Sequence, residues 1–213
     1  MQIRAIFFDI GETLINETRV WSLLADWLLV PRMTMFAVLG GLIAEGRDHR
    51  EVFDIMRPDI GWKGVSARFR IEVGDGFLTE DLYTDAVPCL KELKSHGYFV
   101  GIAGNQPVAQ EAAVRSMSLP SDMIATSGGW RVKKPDPAFF ERIVRETSFK
   151  PGEIVYVGDR VDNDIIPASD AGLVPIHIVR GPWGYLQRNW TEAHRAKAQL
   201  KTLAELPHIL EKI

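Results

Sequence analysis

The sequence predicts an α/β protein: a parallel sheet with helices on both faces, broken after its first strand by an inserted α-helical block. Three observations support this. Residues 1–15 open with a nearly continuous apolar run, Ile3, Ala5, Ile6, Phe7 and Phe8, as expected of a strand buried on both faces. Residues 16–85 carry no strand signal, and their apolar residues recur at three- and four-residue steps. From residue 86 onward, short apolar runs alternate with helix-period stretches, the pattern of a parallel sheet wound on both sides. The predicted domains are therefore 1–15 with 86–213 for the sheet, and 16–85 for the helical insertion.

Each element has a local reason. The insertion shows three helical stripes: Trp21, Leu23, Leu24, Trp27 and Leu28; Met35, Phe36, Leu39, Leu42 and Ile43; then Val52, Phe53 and Met56. Gly40-Gly41, Gly46, Arg57-Pro58 and the glycines at 61 and 64 punctuate them. Leu90 and Leu93 mark the next helix, which Gly97 stops. Residues 98–103 read as a strand, 106–117 as a helix and 122–126 as a short strand. Asp136-Pro137 reads as a helix start, with Asp as cap and Pro in the first turn, leading to Phe139, Phe140, Ile143 and Val144. Residues 154–157 form a strand, 164–171 a helix ending at Gly172, 174–179 a strand, and 196–213 a helical or mixed tail.

Composition excludes several classes. Of 213 residues, 25 are Lys or Arg and 28 Asp or Glu, a net charge of −3, so no basic nucleic-acid footprint is present. Apolar residues at 46% and charged residues at 25% are the globular mix, not a disordered one. Cys89 is the sole cysteine, which excludes a disulfide framework and a cysteine-rich zinc site. A reducing cytoplasm is the expected compartment. Asp9 interrupts the first apolar run before a signal-peptide core forms, and Asp26, Pro31 and Arg32 divide the greasiest stretch, 21–44, so no membrane partner is expected. The apolar insertion, with Trp21 and Trp27, leaves room for a homodimer interface. The five histidines show no metal-ligand spacing.

In open parallel sheets ligands sit beyond the carboxyl ends of the strands, which selects four loops. The first, residues 9–13, places Asp9 directly after a buried strand. A buried unpaired charge is costly, so a cation, a reactive role or a set of backbone amides must hold it. The fourth, residues 158–164, has Asp159, Asp162 and Asp164 within six positions. Three carboxylates so close repel unless something positive lies among them, and oxygen donors without histidine suit Mg2+. Asp164 has a rival role as a helix N-cap, and Asp162 a rival place in solvent. The third loop holds Lys133 and Lys134. Pro135 restricts the backbone at Lys134 and marks it as the placed lysine, against the alternative of two solvated side chains. The second, with Gly104 and Asn105, offers backbone N–H groups and an amide to an oxyanion, or is a plain turn.

The order strand-Asp, helical insertion, strand-Gly-Asn, Lys-Pro and strand-Gly-Asp-x4-Asp resembles the haloacid dehalogenase-like (HAD) superfamily of hydrolases. FFDIGETL, KKPDPAFF and VYVGDRVDNDIIPASDAGL carry the resemblance, which spans nearly the whole chain. It implies a Rossmann-like core with a helical cap of the first class. It implies Asp9 as a nucleophile that forms an aspartyl-phosphate, with Mg2+ held by Asp9, the Gly11 carbonyl and Asp159. Asp164 would support the metal shell or orient Lys134. Lys134 would neutralise Asp9 and the phosphoryl group, and Gly104 and Asn105 would lie at the phosphate. The expected partner is a small phosphorylated substrate.

Two positions depart from the family pattern. Its phosphatases carry a second aspartate two residues after the nucleophile as general acid and base; here that position is Gly11. Such groups contribute about 10²–10⁴ in rate. Glu12 is one residue late and starts on the opposite side of an extended segment. The Ser or Thr hydroxyl of the second motif is replaced by Gly104, and one hydrogen bond to a charged group is worth about 1.5–3 kcal/mol. The leading reading is a Mg2+-dependent phosphatase with altered acid–base chemistry; the alternative is a catalytically impaired ligand-binding or partner protein. A phosphonate-cleaving chemistry would need a cap lysine, and Lys63 is the single candidate in 16–85, where a solvated loop position is its ordinary place. Trp62 beside it could enter a site or simply fill an inter-helix turn, and Trp183 is read as core packing.

Overall fold

The computed structural model describes residues 2–72 and 76–213. Six parallel strands form one sheet: β1 (Ala5–Phe8), β2 (Phe99–Gly104), β3 (Met123–Thr126), β4 (Ile154–Gly158), β5 (Val174–Ile178) and β6 (Ala198–Leu200), in the order β3-β2-β1-β4-β5-β6. β1 lies at the centre, paired to β2 by Ala5↔Phe99 and to β4 by Ala5↔Ile154. All four of its residues are fully buried, which is why it lacks the polar alternation of a half-exposed strand.

The helices are α1 (Thr18–Trp27), α2 (Arg32–Ala44), α3 (Glu51–Met56), α4 (Gly61–Glu72), α5 (Ala86–Ser95), α6 (Val108–Ser116), α7 (Ser127–Trp130), α8 (Pro137–Thr147), α9 (Ile166–Asp170), α10 (Gly181–Gln187) and α11 (Leu206–Leu210). Ala5 and Phe7 of β1 face Phe139, Phe140 and Ile143 of α8 and Ala168 of α9, so one side of the sheet is covered there. Ile6 and Phe8 point the other way; α5 contacts β2 and packs on α11. Phe7 explains the glycine in the middle of β2. The two are register partners, and a Cβ at Gly101 would lie 2.2 Å from the Phe7 ring. The Cys89 thiol is buried in α5, and burial pushes it up to about 12, away from reactive thiolate chemistry.

The chain divides into two compact units, Met1–Asn16 with Leu78–Ile213 and Glu17–Phe77. Residues 78–85, which the sequence analysis grouped with the insertion, cluster with the sheet-bearing unit. Backbone bonds from Asn16 N–H to Asp81 O and from Tyr83 N–H to Leu14 O tie them to the loop after β1. Asp85, just ahead of α5, accepts from the Arg180 guanidinium, the Thr202 hydroxyl and the Leu203 N–H, which anchors the C-terminal segment.

The helical unit has its own core, with Leu24, Ala25, Leu28, Met35, Leu42, Val52, Phe53, Val65 and Phe69. Trp21 stacks on Phe53, Trp27 meets the edge of Phe69 and donates to Glu72, and Trp62 packs on Phe53 at 4.9 Å. These tryptophans serve that core. Trp62 and Lys63 lie in the first turn of α4 and not in a loop: Gly61 takes a positive φ and Asp54 accepts the Trp62 N–H, which starts the helix there. Lys63 is exposed. Among the described residues no single helix is long and apolar enough to cross a membrane; α1 and α2 together reach that composition but are bent by 116°.

The tail beyond residue 195 contains the sixth strand, three residues long and flanked by Lys197 and Lys201. It is too short and too polar at its edges to show in periodicity. The β2–Phe7 contact yields a direct test. Gly101→Ala forces a methyl group into a packed ring and should destabilise the protein by about 1–3 kcal/mol in urea denaturation, whereas Gly97→Ala, at a helix stop, should report strain from positive φ without a steric contact.

Candidate active site

Three strand ends and one loop build the site. β1 delivers Asp9, β2 ends at Gly104, β4 delivers Asp159, and the loop before α8 delivers Lys134. Lys134 is fully buried; its neighbour Lys133 is exposed, so the pair divides as the Pro135 argument predicts. The Lys134 Nζ donates to Asp9 Oδ1 at 2.6 Å and to Asp164 Oδ1 at 2.5 Å. Its ring neighbours are Tyr156 and Phe139, with centroids 5.4 and 6.0 Å from Nζ. Burial alone would favour the neutral amine, but the Asp164 and Asp9 charges outweigh it and hold the ammonium well above the usual lysine range.

Carboxylate oxygens of Asp9, Asp159 and Asp164 all lie within 4.8 Å of one another. Three buried carboxylates face one ammonium. Asp159 bears the imbalance: burial, and then the charges of Asp164, Asp9 and Glu12, push its carboxyl well above the usual range. Burial raises Asp164 to about 6 despite Lys134. Asp159 Oδ2 is buried with no hydrogen-bond partner. An orphaned carboxylate oxygen beside two other carboxylates, with no nitrogen or sulfur donor, fits a hard divalent cation. The donor set therefore suits the metal that the sequence analysis expects.

The surroundings hold this cluster rigid. The wide turn Val161–Ile165 after β4 carries Asp164 inward, where Oδ2 accepts the Arg160 N–H and Oδ1 accepts from Lys134; Arg160 is the N-cap of that turn, so Asp164 does not fill the cap role the sequence offered it. Gly158 makes this possible, because a Cβ there would lie 2.4 Å from Asp164 Cγ. Asp162 turns away into a bidentate pair with Arg160.

Asn105 behaves differently from the sequence expectation. Its amide donates to Lys134 O and its carbonyl accepts the Lys134 N–H, both at 2.8 Å, so the side chain offered to an oxyanion is engaged in fixing the lysine loop. Gly104 acquires a steric reason. A Cβ there would lie 2.5 Å from Asp9 Oδ1, so the missing side chain leaves room for the Asp9 carboxylate in its lysine-bound position. Gly11 lies in a tight loop in which Ile10 O accepts from Leu14 and Ile15 and Ile15 O accepts from Glu12. Glu12 takes a left-handed backbone (φ 52) and is buried, with Oε2 accepting the Tyr83 hydroxyl at 2.6 Å. Burial and the Glu12 charge raise the Tyr83 phenol, which stays protonated.

Two residues escaped the sequence analysis. His177, buried in β5, places Nε2 2.9 Å from Asp159 O, and burial lowers its pKa, so the neutral ring donates and steadies the Asp159 backbone. Tyr156 in β4 donates to Ala103 O and walls Lys134. Both sit inside apolar strands, where a lone polar residue gives no spacing signal.

The cluster has a defined pH dependence. A carboxyl whose folded pKa is raised contributes stability below its unfolded pKa, about 3.9, and loses it as pH rises through the folded value. Metal-free protein should therefore lose stability as pH rises above about 4 and through about 6, where Asp164 ionises, and lose more as the raised Asp159 carboxyl ionises in turn. Asp159→Asn should raise the metal-free Tm near neutral pH by about 2–4 °C per kcal/mol of relieved repulsion and remove most of the gain produced by divalent cation. Differential scanning fluorimetry across pH, with and without cation, reads both; a variant that retains the full cation shift removes Asp159 from the metal shell.

A family model for haloacid dehalogenase-like hydrolases matches residues 3–172. The chain is 27% identical over 200 residues to a glyceraldehyde 3-phosphate phosphatase of Methanopyrus kandleri, covering 85% of this chain and 86% of that protein. It is 28% identical over 199 residues to a phosphoglycolate phosphatase of Haemophilus influenzae, covering 84% and 87%. Among solved structures, one from Haemophilus somnus described as a phosphoglycolate phosphatase shares the fold with a TM-score of 0.76 at 20% identity, over 98% of both chains. A HAD hydrolase from Bacillus subtilis bound to magnesium shares it at 0.73 and 18% identity, over 99% of both. A dehalogenase does so at 0.67 and 20% identity, over 96% of both. With a family match across most of its length, the chain belongs to the haloacid dehalogenase-like hydrolases.

Proposed function

We propose that this hydrolase is a Mg2+-dependent phosphomonoesterase that acts on a small phosphorylated metabolite through an aspartyl-phosphate on Asp9. The observation that carries the reading is the buried Lys134 ammonium shared by Asp9 and Asp164, with the orphaned Asp159 oxygen beside them. The phosphatase names of the curated relatives support the substrate class. The helical unit Glu17–Phe77 corresponds, in this reading, to the family's inserted cap. Neither nucleic acid nor membrane is required.

Asp9, the Gly11 carbonyl and Asp159 would hold Mg2+, with Asp164 at the edge of the shell; the ion supplies positive charge to the phosphoryl oxygens as charge spreads over them. Asp9 uses a carboxylate oxygen to form a bond to phosphorus while the bond from phosphorus to the leaving oxygen breaks, and that oxygen departs with the electron pair. Water then attacks phosphorus and gives a proton to solvent, the bond to Asp9 breaks with its electron pair returning to the carboxylate, and phosphate leaves. Lys134 balances the Asp9 charge before attack and the phosphoryl charge during it. Asp164, bonded to both Lys134 and the Arg160 N–H, acts as a positioning residue for the ammonium.

Gly11 shapes the chemistry by what it lacks. Nothing at that position donates a proton to the leaving oxygen, and the Glu12 carboxylate is engaged by Tyr83. The departing group must leave as its oxyanion and collect a proton from solvent. Esters of acidic alcohols and phenols should therefore turn over far faster than simple alkyl phosphates.

Asp9→Asn should abolish turnover of p-nitrophenyl phosphate with Mg2+, and mass spectrometry should show no phosphoenzyme in that variant. Gly11→Asp should raise turnover of alkyl phosphates by about 10²–10⁴ while changing aryl phosphates much less, because it supplies the missing acid. Adding Gly104→Thr confounds the test, since its Cβ displaces Asp9 from Lys134. A folded, metal-binding Gly11→Asp protein with no activity on a phosphomonoester panel, matched by an inactive wild type, replaces this reading with that of a ligand-binding protein.

A further inference from the structure

Helix α2 has an apolar face that stays exposed among the described residues. Its buried side carries Met35, Leu39, Leu42 and Ile43, of which Met35 and Leu42 join the core of the helical unit. The opposite side repeats at three- and four-residue steps as Met33, Phe36, Ala37, Gly40, Gly41 and Ala44, without a charged or polar side chain among them. Met33 is 84% exposed, and Leu29, one turn before it, is 92% exposed while held at a positive φ of 58°. A surface helix of an isolated globular chain normally turns polar residues outward, so this face departs from the amphipathic rule.

The two glycines are a separate observation. Glycine inside a helix costs about 1 kcal/mol relative to alanine, so each needs a reason. Within this chain there is none: a Cβ on Gly40 or on Gly41 would meet nothing within 4 Å, and neither residue has positive φ. Gly101, Gly104 and Gly158 each make room for a neighbour of the same chain, whereas Gly40 and Gly41 face open space.

We propose that this face is an isologous interface between two copies of the chain, with α2 packed antiparallel against α2 of the partner. Size and charge select a second copy. With a twofold axis between residues 38 and 39, Met33 faces the partner's Ala44, Phe36 the partner's Gly41, and Ala37 the partner's Gly40. Large side chains from one half of the helix fill the hollows left by small residues in the other half. The same register brings the Arg32 end of one helix alongside the Glu45 end of its mate, so opposite charges and opposite helix-dipole ends meet on both flanks. Arg32 and Glu45 are both exposed and hold only exposed intrachain partners, Asp26 and Arg47. A helix face about 20 Å long presents less than the roughly 800 Å² per partner of a standard interface, so the dimer should dissociate on dilution. The inference is independent of the proposed phosphatase activity.

Sedimentation velocity of the full-length chain tests it. The wild type should move from one-chain to two-chain mass as concentration rises through the micromolar range. Phe36→Glu should weaken association at least tenfold. Gly40→Leu should do the same while leaving the monomer Tm unchanged or higher, because leucine is the better helix former and its Cβ meets no atom within 4 Å; this separates loss of the interface from loss of the fold. Lys63→Glu, exposed on α4 and not on α2, should leave association unchanged. A wild type that stays monomeric at the highest concentration overturns the proposal, as does a Gly40→Leu protein that dimerises like wild type. Co-sedimentation of a monomeric wild type with phosphatidylcholine–phosphatidylglycerol vesicles overturns it in favour of a lipid surface.

Discussion

Everything at the carboxyl end of this sheet depends on one buried ammonium. Lys134 has no exposed surface, and its charge is tolerable there because Asp9 and Asp164 both accept from Nζ. Breaking such a pair by removing one partner costs about 3–5 kcal/mol, since the other charge stays buried and unpaired. The lysine thus fixes the positions of two carboxylates that arrive from different strands. Asp159 is the third, and a single lysine cannot balance it. A stable protein with this arrangement needs a cation or a protonated carboxyl, and the raised Asp159 and Asp164 values express that need.

The rest of the core-unit architecture serves that balance. Asn105 clamps the lysine loop by two hydrogen bonds, and Tyr156 reaches from β4 to the Ala103 carbonyl while lining the lysine pocket. His177 holds the Asp159 carbonyl, and Gly158 leaves room for Asp164 to fold back. None of these groups need touch a substrate. They hold charges in one arrangement, so little reorganisation remains for the reaction, which is how a preorganised site lowers a barrier.

The fold by itself does not choose the bond that is cleaved. Phosphatases and dehalogenases share this architecture at similar TM-scores, so the chemistry must be argued from side chains. Gly11 and Gly104 are the informative ones. Gly104 gives Asp9 its space, and in the proposed phosphatase reading Gly11 leaves the site without a proton donor while keeping its backbone carbonyl. Glu12 lies next to the vacated position, yet its left-handed backbone and its bond to Tyr83 commit it elsewhere.

The sequence by itself determined the alternating core, the helical insertion, and the acidic and basic residues that meet at the strand ends. Those features are local: an apolar run, a helical period, or a charge directly after a buried strand can each be read within a few residues. Asp9, Asp159 and Lys134 were legible because parallel strands deliver their last residues to one edge. Several other features were decided only by tertiary structure. Residues 78–85 pair with the loop after β1 at long sequence separation, and β6 exists because β5 has an open edge for three residues to join. Asn105, His177 and Tyr156 gained their tasks from neighbours far along the chain. The apolar outer face of α2 reads in sequence as ordinary core, because helical periodicity says which residues share a face and only packing says whether that face is covered.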